Sequence, residues 1–149
     1  MFRFNLPFPV VLLGLAGWLP QAICVWLVIG GGPLGWSALA AGCFYAALIL
    51  SFLGGLWWMA GLLGGVRSGG LYVIAVLPSL VAWATLLPWI AGWHWPGPSL
   101  VVLGLILLAS PAVDVKLARA VTLPPDWLRL RMWMATGLGL LTLALAAVG

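Results

Sequence analysis

The sequence predicts an all-α integral membrane protein, a single bundle of about five transmembrane helices that occupies residues 1–149. The first observation is composition: 65% of the residues are hydrophobic and only 5% are charged. The second is the mean hydropathy of +1.24. A soluble domain carries roughly a quarter of its residues as charges to keep its surface in water. This chain cannot cover such a surface, so lipid is its predicted solvent.

The third observation is a set of apolar runs, each bounded by glycine, proline or charged residues. A helix that rises about 1.5 Å per residue needs about 20 apolar residues to cross a hydrocarbon layer of about 30 Å. The first, second, third and fifth runs are long enough, whereas the fourth spans only if it continues past Pro111. The predicted spans are residues 8–30, 36–63, 71–91, 98–117 and 128–148.

The basic residues predict the orientation of these spans. Five spans place the N-terminus, the second loop and the fourth loop on one side of the membrane. An excess of Lys and Arg in short loops marks the cytoplasmic side, so we expect a cytoplasmic N-terminus and an outside C-terminus. The outer boundary then carries four tryptophans: Trp36, Trp89, Trp93 and Trp95. The basic residues on the predicted cytoplasmic side are all six of the chain: Arg3, Arg67, Lys116, Arg119, Arg129 and Arg131.

Polar side chains fall near the middle of three predicted spans. Gln21, Ser51 and Ser79 lie at roughly one depth, and an apolar pocket with a few convergent polar groups is the usual form of a small-molecule site. The alternative is hydrogen bonding between helices, which is the common use of such side chains in membranes. The candidate ligand-binding residues are Gln21, Ser51, Gly55, Trp58, Ser79 and Trp83, and the candidate ligand is a small lipophile such as a quinone, a lipid or a tetrapyrrole.

Small residues repeat at four-residue spacing on the second span. Ala47, Ser51 and Gly55 form a stripe that lets a neighbouring helix approach closely. We expect that neighbour to be the third or the fifth span, whose Ala135 and Gly139 form a matching small pair. The same groove could instead hold a flat lipophile against Trp57 and Trp58, so the stripe alone does not decide between packing and binding.

Two acidic residues lie among the basic residues near the predicted cytoplasmic face. Asp114 follows an apolar run, and an ionisable side chain at membrane depth points to function by default. Its predicted partner is Arg131, about one turn inside the fifth span. The alternative is a structural ion pair that joins the fourth and fifth spans.

No catalytic residues, metal site or cofactor are predicted. The chain has one histidine, His94, which cannot supply two axial ligands to a haem. Cys24 and Cys43 have no metal-ligand spacing and are expected to stay as free, buried thiols. The net charge of +4 is too sparse for the basic face that nucleic-acid binding requires. The sequence therefore predicts a non-enzymatic protein.

Three motifs resemble those of the transmembrane protein 69 family. They are Leu50-Ser-Phe-Leu-Gly-Gly-Leu-Trp-Trp58, Leu77-Pro-Ser-Leu-Val-Ala-Trp83 and Pro125-Asp-Trp-Leu-Arg-Leu-Arg131. The resemblance implies a small multi-span protein of an inner or organellar membrane, here the bacterial inner membrane, and it brings no established activity. The chain departs from the family pattern at Trp57 and Leu128. Positions that match the family are Ser51, Gly54, Gly55, Trp58, Pro78, Ser79, Trp83, Asp114, Trp127 and Arg131.

Two functions follow as expectations. The first is an accessory or scaffolding protein that packs against a larger membrane complex through its glycine-rich and tryptophan-rich faces. The second is a binder or carrier of a small lipophile in an intramembrane pocket. The expected partners are the lipid bilayer, a membrane-protein partner or a second copy of the chain and, for the second function, the lipophile.

Overall fold

A computed structural model describes residues 5–149, so that Arg3 lies outside the described residues. Within that range the chain forms eight helices and no strand. They are α1 (Phe8–Ala16), α2 (Leu19–Ile29), α3 (Gly35–Leu63), α4 (Gly69–Ala84), α5 (Leu87–Ile90), α6 (Gly97–Ala109), α7 (Pro111–Ala120) and α8 (Trp127–Val148).

These helices combine into five spans that are long and apolar enough to cross a membrane. They are Phe8–Ile29, Gly35–Leu63, Gly69–Ile90, Gly97–Ala120 and Trp127–Val148. The predicted all-α fold with five apolar helices is thus confirmed, and it indicates a multi-pass membrane protein.

Proline residues divide the first, third and fourth spans into two helices each. A proline has no N–H to donate to the carbonyl four residues earlier, so Pro111 leaves the Leu107 carbonyl without its helical partner. The Ser110 hydroxyl donates to that carbonyl at 2.8 Å. This side-chain bond lets the fourth span continue through the proline to Ala120, which places Asp114 within the span.

The second span is the centre of the bundle, since it contacts each of the other four. Its face toward the third span carries Gly54, where an added Cβ would overlap the backbone carbonyl oxygen of Ala75. The close approach that the small residues predict therefore occurs at Gly54. Gly139 was expected to pair with the second span, but it faces Gly104 of the fourth span. A Cβ added at Gly139 would lie 3.1 Å from the Gly104 carbonyl oxygen.

The two ends of the bundle differ in chemistry. One end, called here the basic end, carries Arg67, Arg119 and Arg129 in or beside its loops. There the Asn5 backbone N–H donates to Asp126 at 2.9 Å, and Val121 packs over Gly64. At the opposite end Trp95 stacks on Trp89 with 5.7 Å between ring centroids and meets Trp36 at 6.3 Å. Three of the four tryptophans expected at one boundary, Trp36, Trp89 and Trp95, thus form a cluster that joins the second span to the third and to the loop after it.

Candidate functional site

A buried ion pair lies inside the basic end of the bundle. Arg131 of α8 and Asp114 of α7 are 3% and 1% exposed, and Arg131 Nη2 lies 2.9 Å from Asp114 Oδ2. Arg131 Nε donates a hydrogen bond to the same oxygen at 3.1 Å. The indole N–H of Trp57, on the second span, donates to Asp114 Oδ1 at 2.8 Å. Three spans therefore meet at one carboxylate.

Both carboxylate oxygens are satisfied, but the guanidinium is not. Arg131 Nη2 is buried and has no hydrogen-bond partner among the described residues. Its 2.9 Å contact with Oδ2 is an ion pair, and beyond Asp114 no described residue offers this nitrogen an acceptor. A buried donor without an acceptor is costly, so this nitrogen is an unused hydrogen-bonding position.

Arg131 also lines an apolar cavity of about 140 Å³ between the first, second and fifth spans, called here the lateral cavity. Phe52 lines it as well and is 66% exposed, so the cavity opens at the side of the bundle, where lipid would lie. Among its lining residues Arg131 is the one charged side chain. Other residues that line the lateral cavity are Trp18, Tyr45, Ile49, Leu56, Trp127 and Met134.

Two of the other polar side chains that line the cavity, Trp18 and Tyr45, already have partners. The Trp18 indole N–H donates to the Met134 carbonyl at 3.1 Å, and the Tyr45 hydroxyl donates to the Gly17 carbonyl at 2.6 Å. These bonds join the first span to the fifth and the second. They leave Arg131 as the side chain with unpaired buried donors at the cavity.

A second cavity, of about 220 Å³, lies on the other side of the ion pair and is called here the basic-end cavity. Asp114 lines it together with Leu123 and Pro124 of the loop before α8. Leu56 and Trp127 line both cavities. The ion pair therefore separates a space near the basic end from a space that opens sideways.

The polar residues predicted to share one depth form two separate pairs. Gln21 is fully buried, and its amide donates to the Thr142 hydroxyl at 3.2 Å. Ser51 and Ser79 hydrogen-bond to each other at 2.9 Å. Each pair joins two spans, and neither lines the lateral cavity. The structure thus shows interhelical bonds at these three residues.

The remaining candidate ligand residues lie on the outside of the second and third spans. A Cβ added at Gly55 would meet nothing within 4 Å. Trp58 contacts Tyr72 edge-on, with ring centroids 5.0 Å apart, at a shallow groove that Leu77 and Leu80 also line. Trp83 is 60% exposed. The six residues therefore do not converge on one site.

Trp57, considered with Trp58 as a wall for a flat lipophile, has a different role in the structure. Trp57 is 3% exposed and faces the ion pair. A signal was present, because Leu50, Gly54, Trp57 and Gly61 follow the spacing of one helical face and all are buried. No pattern in the sequence indicated that Asp114 would accept its hydrogen bond.

We expect Trp57→Phe to destabilise the protein by at least about 1.5 kcal/mol, because it removes a hydrogen bond to a buried charged group. The measurement is the free energy of unfolding by SDS titration in mixed micelles. Trp58→Phe is the matched control: Trp58 is 41% exposed, and phenylalanine keeps its ring contact with Tyr72. Equal effects of the two changes would contradict the assigned bond.

The side chain types that bind metals do not cluster in the described part of the chain. Between residues 5 and 149, no group of three His, Cys, Asp or Glu side chains is placed to hold a metal ion. Cys24 and Cys43 are buried free thiols.

Comparison with known proteins gives a family. No curated protein sequence and no solved structure matches the chain. A model of a protein family of unknown function, DUF3429, matches residues 6–147. Because that match covers nearly all of the sequence, the chain belongs to the DUF3429 family.

Proposed function

We propose that this protein is a non-enzymatic binder or carrier of a small lipophile, and that the lateral cavity is its site. The observation that carries the proposal is a sideways-opening apolar cavity. Its one charged lining side chain, Arg131, is buried and has a nitrogen with no hydrogen-bond partner in the described part of the chain. A pocket that is mostly apolar with a precisely placed polar group is typical of small-molecule sites.

The size of the cavity limits the part of the ligand that it can hold. An engineered apolar cavity of about 150 Å³ in another protein binds benzene, so the lateral cavity, at about 140 Å³, accommodates one ring or a short chain segment. The opening beside Phe52 leaves room for a longer tail outside, among lipid chains. The proposed ligand is thus an amphipath or a ring-bearing lipid whose head alone enters the protein.

We expect Ile49→Trp to fill the lateral cavity and weaken binding by at least about tenfold, because the ligand loses the space for its packing contacts. Ile49 lines the cavity and is only partly buried, so the larger ring can enter the cavity without replacing a fully buried core side chain. The measurement is native mass spectrometry of protein extracted from its own membranes, which reports a co-purifying adduct of a few hundred daltons.

Leu48→Trp is the matched control for this experiment. Leu48 is the preceding residue, is 69% exposed and faces away from the cavity, so the same side chain is added on the outside. An adduct retained in Leu48→Trp and lost in Ile49→Trp supports the proposal. An adduct that persists in both variants would place the ligand elsewhere, and no adduct in the unmodified protein would argue against a binding function.

The accessory role is a second proposal, and it rests on a different observation. Gly55 lies on the exposed face of the second span with open space beside it, which leaves a small-residue position for another helix. A protein partner or a second copy of the chain at fixed stoichiometry in the same mass spectra would support this role.

We further propose a location in the bacterial inner membrane with the N-terminus in the cytoplasm, since the basic end then faces the cytoplasm as the distribution of Lys and Arg predicts. Membership of the transmembrane protein 69 group within DUF3429 is likewise a proposal, and it rests on the three motifs.

A further inference from the structure

We propose that the ligand of the lateral cavity carries a neutral carbonyl oxygen on a ring-sized head, and that this oxygen accepts a hydrogen bond from Arg131. The inference rests on the proposed binding function and names the chemical class of its ligand. It depends on three features of the site: the unpaired nitrogen of Arg131, the charge of Asp114 and the position of the pair along the fifth span.

The unpaired nitrogen requires an acceptor. Beyond its ion pair with Asp114, Arg131 Nη2 has no acceptor among residues 5–149, while Arg131 is 3% exposed and lines the cavity. The Trp18 and Tyr45 donors at the same cavity are already bonded to backbone carbonyls. Since guanidinium nitrogens only donate, the group that completes this site must accept. A hydrocarbon would fill the space but leave the donor unpaired.

Asp114 makes a neutral acceptor the better partner than an anion. Its carboxylate already forms the ion pair with Arg131, with 2.9 Å between Oδ2 and Nη2. The pair is neutral as a unit, so a carboxylate ligand would add an uncompensated negative charge next to Asp114 in an apolar surrounding. Burying such a charge carries a large desolvation cost. A ketone, quinone or ester oxygen accepts the same hydrogen bond without that cost.

The position of the pair fits two sources of such a carbonyl. Arg131 is the fifth residue of the last span, Trp127–Val148, so its Cα lies about 6 Å from the start of that helix. The ring of a quinone or aromatic ketone can reach this level from the bilayer. The ester carbonyl of a membrane lipid is also found near this end of a span. Both share the acceptor chemistry, and the test separates them.

The test compares probes that differ at one group, with the whole protein in detergent and isothermal titration calorimetry as the measurement. The ring probes are 4-decylacetophenone, decyl-p-benzoquinone, 4-decylbenzoate and decylbenzene, and dioctanoylglycerol represents a lipid ester. We expect the acetophenone and the quinone to bind at least about tenfold tighter than decylbenzene, as a hydrogen bond to a charged donor predicts.

The outcomes separate this inference from the proposed function. If decylbenzene binds as tightly as the carbonyl probes and Ile49→Trp weakens both, the cavity is a lipophile site and the inference is wrong. Tighter binding of the benzoate would also overturn it. If no probe binds, or Ile49→Trp changes nothing, the proposed function itself fails. If dioctanoylglycerol binds tighter than the ring probes, the ligand carries a carbonyl acceptor but is a lipid ester. The part of the inference that assigns a ring-sized head is then wrong.

A variant tests whether Arg131 is the donor. Arg131→Lys keeps the positive charge opposite Asp114 and so protects the fold, but its ammonium lacks the second nitrogen of the planar guanidinium. We expect the roughly tenfold preference for carbonyl probes over decylbenzene to disappear in this variant, with thermal unfolding in the same detergent showing that it is folded. A preference that survives in a folded Arg131→Lys protein would assign the hydrogen bond to another group.

Discussion

Replacement of Asp114 by asparagine is expected to lower the free energy of unfolding by about 3–5 kcal/mol, the cost of removing one partner from a buried ion pair. Asp114 is 1% exposed and receives hydrogen bonds from Arg131 and Trp57. Asparagine has nearly the same shape, so the loss comes from the charge that remains on Arg131 in an apolar surrounding. The measurement is SDS titration in mixed micelles with helicity as the signal.

Two further variants give this prediction its controls. Asp126→Asn removes the other acidic charge, which accepts an exposed hydrogen bond from the Asn5 backbone, and we expect it to change stability by no more than about 0.5 kcal/mol. Adding Arg131→Met to Asp114→Asn removes the orphaned charge and should recover at least half of the loss. A cost below about 1 kcal/mol for Asp114→Asn would mean that water reaches the pair.

The second large effect is expected for Gly54→Ala, which we predict to destabilise the protein by about 2 kcal/mol or more. A Cβ at Gly54 would overlap the Ala75 carbonyl oxygen of the third span. A backbone atom cannot rotate away as a side chain can, so the second and third spans must separate. That overpacking outweighs the gain of up to about 1 kcal/mol that alanine brings to a helix. Thermal unfolding in detergent, followed by circular dichroism, measures the change.

Gly55→Ala is the control because it makes the same chemical change one residue later. Open space surrounds that position, so only the helix-propensity gain remains, and we expect equal or slightly higher stability. Opposite signs for the two substitutions would support the packing of the second span on the third through Gly54. If Gly54→Ala is also stabilising, the two spans do not approach as closely as the structure has them.

The candidate site was partly accessible from the sequence. Asp114 and Arg131 stand out because ionisable residues are rare in apolar runs, and their spacing from the ends of two successive spans brings them to one level. The polar residues near the middle of the spans suggested one shared site because they lie at a common depth, but they form two separate pairs. Depth along a helix does not specify the direction of a side chain, so Gln21 could face Thr142 while Ser51 faced Ser79.

The lateral cavity had no sequence signature. It exists where the first, second and fifth spans fail to fill the space between them, which depends on helix positions set by many contacts at once. The bonds from Trp18 to Met134 and from Tyr45 to Gly17 bridge more than 25 residues each. Nothing local to either residue identifies such a partner.

The lipid surrounding, the number of apolar helices and the end at which the basic residues gather were predictable from the amino-acid sequence alone. These follow from hydropathy, run length and the positions of charges, because lipid requires each helix to satisfy its own backbone and each charge to reach an end or a partner. The tertiary structure decided which faces meet: Gly54 rather than Gly55 against the third span, Trp57 against Asp114, and Arg131 at a cavity. Those choices depend on the rotation of each helix about its axis, and an almost uniformly apolar helix carries little pattern to specify that rotation.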